Sequence, residues 1–156
     1  MLELQTLLDD FSKKNGFPPL QLNGNGYCQL LVEDKLLLSF IAHSYPDELE
    51  QNLMLAANVG VLDVNVTLRQ RTLELLASSN YASISTQGHI LALAPDGRQI
   101  VLFGLRSLSQ LTLSDLSDWL LHITQSALTW QANFAISPNQ ASVDKNTPTP
   151  KNAIRI

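Results

Sequence analysis

The residues of this 156-residue chain that could do chemistry are few and far apart. Cys28 is the single thiol, and His43, His89 and His122 are the three imidazoles. A zinc site would need a second cysteine or an H-E-x-x-H pair on one helix face, and neither is present. His43 next to Ser44 invites a hydrolase reading, but no G-x-S-x-G elbow presents the serine and no acid stands at a recognisable spacing. The stretch NGNG at 23–26 contains a G-x-G, yet no third glycine follows and no helix opens there to receive a phosphate. Asp115 and Asp118 open an apolar-periodic stretch, where carboxylates complement a helix dipole. Cys28 falls in an apolar run and reads as a small core residue. Asn65-Val66-Thr67 is a formal glycosylation sequon that means nothing without secretion through a eukaryotic pathway. The expectation is a protein with no catalytic residues, no metal and no cofactor.

The elements around these residues are easier to read. Leu4, Leu7, Leu8 and Phe11 recur at helical spacing from Leu2 to Asn15, and Gly16 stops that helix. Pro18 and Pro19 stiffen the connector. Tyr27 to Val32 and Leu36 to Ala42 form a hairpin that turns at Glu33, Asp34 and Lys35. After a loop around Tyr45 and Pro46, QNLMLAANVGVL from Gln51 reads as a third strand. Thr67 with Gln70 three residues on is a capping-box pattern, opening a short helix that ends near Asn80. In GHILALAPDGRQIVLFGL, residues 88 to 105, Pro95, Asp96 and Gly97 join two strands. A long helix then starts at Thr112 or Ser114, with Leu113, Leu116, Leu120, Ile123, Ala127, Trp130 and Phe134 stepping by three and four.

The order α-β-β-β-α-β-β-α gives an α+β fold: an antiparallel sheet of about five strands with three helices. Residues 1–136 make one domain, and 137–156, with three prolines and no period, read as a disordered tail. In the second hairpin Ile100 and Leu102 alternate with Val101 and Phe103, so both sheet faces are apolar. Three helices packed on one face leave the other bare, and a bare apolar face of that size marks a protein interface.

Composition narrows the partner. Charged residues make up 15% of the chain, below the roughly 25% usual in soluble domains. Acids outnumber bases by 14 to 10, and no basic stripe offers itself to nucleic acid or an anionic membrane. The acidic N-terminus lacks the features of a signal peptide, no apolar run spans a bilayer, and a lone cysteine suits a reducing compartment. A cytoplasmic protein is expected.

The element order, the opening leucine-rich helix, GYCQLLVEDKLLLSF with its acidic turn, LMLAANVGVL, LELLASSN, LALAPDGRQIVLF and a last helix ending near tryptophan resemble the class I type III secretion chaperones, the Tir chaperone family. The resemblance covers about Leu2 to Phe134. It implies a cytosolic bacterial homodimer that binds the N-terminal segment of a secreted effector, keeps it partly extended and soluble, and aids delivery to the secretion machinery and its ATPase. It further implies that Leu73, Leu76, Ile90 and Ala92 form the two-fold contact. The effector chain would lie on the first helix and adjacent strands, with Leu4, Leu8 and Phe11 facing outward and Leu7 in the core. Two other readings stand beside it: a small-molecule carrier or minor enzyme whose hairpins wall a cavity, and a regulatory adaptor with a non-secreted partner.

Overall fold

The computed structural model describes residues 2–44, 51–81, 84–135 and 153–155. The predicted loop around Tyr45 and Pro46, and the tail apart from 153–155, lie outside the described residues. Helix α1 runs Leu2–Asn15, followed by β1 (Tyr27–Val32), β2 (Leu36–His43), β3 (Asn52–Val61), α2 (Val66–Ser79), β4 (Ile90–Leu93), β5 (Gln99–Ser107), α3 (Leu113–Ala135) and β6 (Ala153–Arg155). The sheet order is β4-β5-β3-β2-β1-β6. Its first five strands are mutually antiparallel, as the two hairpins require, and β6 lies parallel to β1. That short sixth strand is the one departure from the five expected: residues 153–155 of the predicted irregular tail are paired.

Local chemistry fixes the boundaries. Gly16, at φ +72°, ends α1 in the left-handed conformation that glycine adopts without strain. The Asn65 side chain accepts from the N–H groups of Thr67 and Leu68, so it, and not Thr67, is the N-cap of α2. At α3 the box is complete: the Thr112 N–H donates to Asp115 Oδ2 at 3.0 Å, and the Asp115 N–H donates to Thr112 Oγ1 at 3.2 Å. In the β4–β5 turn Asp96 Oδ1 accepts from the N–H groups of Arg98 and Gln99.

Side chains alternate across the sheet, and one set joins the helices in a single core. Leu30, Leu38, Leu55, Leu102 and Leu91 are buried together with Leu4 and Leu8 of α1 and with Leu116, Ile123 and Ala127 of α3. α3 lies across β2, β3 and β5, and α1 packs beside it. Two glycines let α3 approach closely. A Cβ on Gly60 would stand 3.1 Å from Phe134, and one on Gly104 would stand 3.1 Å from His89 and 3.2 Å from Trp119. Gly60 follows a register shift in β3, where Gln131 Nε2 donates to the Asn58 carbonyl at 3.0 Å.

Candidate functional site: a bare sheet face and the α2–β4 edge

The alternation that fills the core places the other half of each strand on the opposite face. Registers line these residues up in rows. Ile41 stands opposite Met54 and Met54 opposite Leu105; Ala56 stands opposite Phe103 and Phe103 opposite Ile90; Val101 stands opposite Ala92. The main contacts of the helices lie elsewhere: α3 packs on the core face, α1 against α3, and α2 beside the edge strand β4. Ile41, Met54, Val101 and Phe103 are accordingly half-buried, while Leu105 is 39% and Ile90 46% exposed. Towards β1 the same face carries a polar group, with the Tyr27 hydroxyl and the Gln29 amide both within hydrogen-bond reach of Ser39 Oγ, and beyond it the half-buried pair Leu31 and Leu37. The apolar patch across β2, β3, β5 and β4 is thus bordered by these polar groups and then by that pair.

The adjoining edge is also unfinished. Of the 14 residues of α2 only Leu76 and Ser79 are buried, and Leu73 and Leu75 are about two-fifths exposed. The helix is tied to β4 through its C-cap. Asn80 Nδ2 donates to the Leu91 carbonyl at 2.8 Å and Asn80 Oδ1 accepts from the Leu91 N–H at 2.9 Å, so a side-chain amide stands where a further strand would bond. A cleft between α2 and the end of α3 is lined by Asp63, Leu68, Arg71, Leu75, Asn133 and Phe134.

Several expected site residues are elsewhere. Leu4, Leu8 and Phe11 do not face outward; they are core, and Leu7 is the half-buried one. The reason is the connector, which folds back over α1. Gln5 donates to the Leu20 carbonyl and accepts from the Leu22 N–H, and Ser12 Oγ accepts from the Leu20 N–H. Leu20 is thereby buried beside the helix, and Phe11 packs edge-on against Phe17 at 5.4 Å. Leu76 is likewise enclosed within the subunit, because α2 turns that residue inward. Leu73 and Ile90 are exposed and Ala92 is half-buried, so these three remain accessible. Met54, Phe103 and Leu105 were not singled out from the sequence as contacts, although the two-faced apolar alternation carried the signal.

The reactive side chains do not gather. Burial pushes the Cys28 thiol up to about 12, which removes the thiolate needed for nucleophilic attack at neutral pH. His89 is buried in a structural cluster. Its Nδ1 lies 3.0 Å from the Thr86 carbonyl, its Nε2 accepts from Trp119 Nε1–H at 3.2 Å, and the Arg106 guanidinium covers the Trp119 ring at 4.8 Å. Burial holds this imidazole below its ordinary pKa, the Thr86 hydrogen bond acts against that, and Arg106 and His122 add to the lowering. Asp115 is held low by the Thr112 hydroxyl and N–H, as a helix-cap carboxylate should be. Among the described residues no three His, Cys, Asp or Glu side chains are grouped to hold a metal, and no helix is long and apolar enough to cross a membrane.

An apolar sheet face beside a helix whose leucines meet solvent is the kind of surface that marks a protein interface, here on a fold of α+β architecture. The family model for the Tir chaperone protein (CesT) family matches residues 6–131, and the chain belongs to that family. Solved structures share the fold. A chain of the ExsC–ExsE complex is 22% identical, with a TM-score of 0.71 over 85% of this chain and 94% of that one. A chain of the HopA1–SchA chaperone–effector complex is 19% identical, with a TM-score of 0.61 over 85% and 93%. A chain of the heterodimeric ExoU–SpcU complex from the type III secretion system of Pseudomonas aeruginosa is 15% identical, with a TM-score of 0.58 over 81% and 93%. Comparison with curated proteins gives no match.

Proposed function

We propose that the protein is a cytosolic chaperone of a type III secretion system. It binds the N-terminal segment of a secreted effector, keeps that segment partly extended and soluble, and aids its delivery to the secretion apparatus and its ATPase; it catalyses no reaction. Family membership supports the class, as does the likeness in fold to a chain of a chaperone–effector complex and to a chain of a type III secretion system complex. The observation that carries the reading is the set of apolar rows through Met54, Phe103 and Leu105, on which no helix among the described residues packs. An unfolded segment laid on a preformed apolar surface is shielded from aggregation, while the entropy lost in ordering it moderates affinity and permits release.

The working unit in this proposal is a homodimer. Leu73 on α2 and Ile90 and Ala92 on β4 meet their counterparts across a two-fold axis, with Leu75 in place of the enclosed Leu76. The effector contacts move from α1 to the bare face. Purification from the native host tests the function: a secreted protein should co-purify, and its N-terminal region alone should be retained. Recovery of only non-secreted partners would replace the chaperone by an adaptor.

A further inference from the structure

The connector between α2 and β4 is fastened to the body of the protein at His89. That side chain is 4% exposed, and both of its ring nitrogens are committed. The Thr86 carbonyl 3.0 Å from Nδ1 can only accept, so Nδ1 carries the ring's proton. The Trp119 indole N–H can only donate, so Nε2, at 3.2 Å from it, is bare. The two partners fix one neutral tautomer and leave no place for a second proton. A proton on Nε2 would set one N–H against another. β5 closes the ring's other edge, where even a Cβ on Gly104 would stand 3.1 Å from His89 Cδ2. A charged ring must therefore part from Trp119.

The charged groups around the ring do not relieve it. Arg106 of β5 and His122 of α3 both oppose its protonation; on α3 Asp115 is bonded to Thr112 and Asp118 is exposed. Residues 84–88 of the connector, and Ser78, Ser79 and Asn80 at the end of α2, carry no charge. The connector is also under strain. Gln87 sits at φ 53°, a left-handed conformation that is costly for a residue with a Cβ, and among the described residues the Thr86 hydroxyl is buried without a hydrogen-bond partner. The other ties are few: Ser85 Oγ donates to the Ser79 carbonyl at 2.8 Å, and the Gln87 N–H reaches the Ile84 carbonyl at 3.4 Å. Opening relieves both costs, and the His89–Trp119 bond opposes it.

We propose that His89 is a proton-sensitive catch that holds the α2–β4 connector against α3, and that acidification releases residues 84–89 while the sheet stays folded. The movement passes directly to Ile90, and through the connector to the end of α2. The proposed dimer rests on these surfaces, so acid should weaken it as well. That consequence depends on the dimer reading; the catch does not.

The test follows the full chain by NMR from about pH 7.5 to about pH 5. Ring shifts of His89 report its protonation, and amide protection corrected for intrinsic exchange reports opening. Protection of the His89 N–H, which donates to the Thr86 carbonyl, should fall about tenfold or more as the ring gains its proton, while Leu55 and Ala57 of β3 keep theirs. His89→Gln supplies an amide that can donate to Thr86 and accept from Trp119 but cannot be protonated, and its protection should be independent of pH. Trp119→Phe removes the indole donor, so His89 should titrate at higher pH and the connector should already be less protected at about pH 7.5. A ring still neutral at about pH 5, a charged ring under a protected connector, or loss of protection in all elements together overturns the proposal. So does an equal pH response in His89→Gln, or wild-type titration in Trp119→Phe. Light scattering should show the dimer mass falling in acid for wild type and not for His89→Gln. An intact dimer with the connector open overturns the coupling between them, whereas a monomer at both pH values counts against the dimer reading alone and leaves the catch to the exchange data.

Discussion

Phe11 is enclosed by its own chain, edge-on to Phe17 and beneath a connector pinned by Gln5 and Ser12. Phe11→Ala should therefore lower stability by about 3–5 kcal/mol in denaturant unfolding, with effector affinity unchanged for the molecules that remain folded. A stripe of Leu4, Leu8 and Phe11 at spacings of four and three is the signature of a core face and of an exposed contact alike. Hydrogen bonds to residues 15 and 17 positions away decided between them, and spacing carries no trace of those. The inertness of Cys28, by contrast, was legible from its place in an apolar run. His89 supplies a pH dependence. With its pKa held below the ordinary 6.5, the unfolded chain binds more protons than the folded one between the lowered value and 6.5. Its contribution is complete above about pH 6.5 and is lost as pH falls through the lowered value, where a charged ring would also give up the Trp119 bond. Denaturant midpoints should fall from about pH 7.5 to about pH 5 in the wild type, and fall less in His89→Gln.

At the scale of elements, strand and helix limits were legible where turn chemistry is explicit: Gly16, the Glu33–Asp34 turn and Pro95-Asp96-Gly97; the start of α3 was read to within two residues, and the Thr112–Asp115 box that fixes it came from the structure. The N-cap of α2 was misplaced by two residues, because Thr67 and Gln70 have the capping-box spacing while Asn65 has the oxygen that reaches both N–H groups. The β1–β2 turn holds Glu33 at φ 50° and Asp34 at φ 55°, a left-handed pair that suits Asn-Gly. Glu33→Asn with Asp34→Gly should stabilise the protein by about 1 kcal/mol in denaturant unfolding. Helix α2 carries a different kind of information. Fourteen residues with so little buried make a marginal helix in isolation, and the proposed dimer would give its exposed leucines the packing the single subunit lacks. In the proposed dimer Leu73→Asp introduces two charges into the two-fold contact, and should halve the mass seen by light scattering, with far-UV circular dichroism retained. A wild-type monomer at about tens of micromolar would remove the dimer from the account.

For the whole molecule, the apolar alternation on both sides of the second hairpin already implied that one sheet face lacks cover, and no helix among the described residues packs on that face. The return of residues 153–155 to the far edge was not legible, because three residues without a period carry no pairing signal and their partner lies more than a hundred positions away. The central claim is that the bare face receives another polypeptide. Leu105 is the residue to change, since it stands on that face, outside the core and away from α2. The measurement is equilibrium binding of the effector's N-terminal segment to wild type and to Leu105→Asp, with thermal melts confirming that both fold. The account predicts unchanged melting and a loss of about 1–3 kcal/mol in binding. Equal affinity in a folded Leu105→Asp would contradict it.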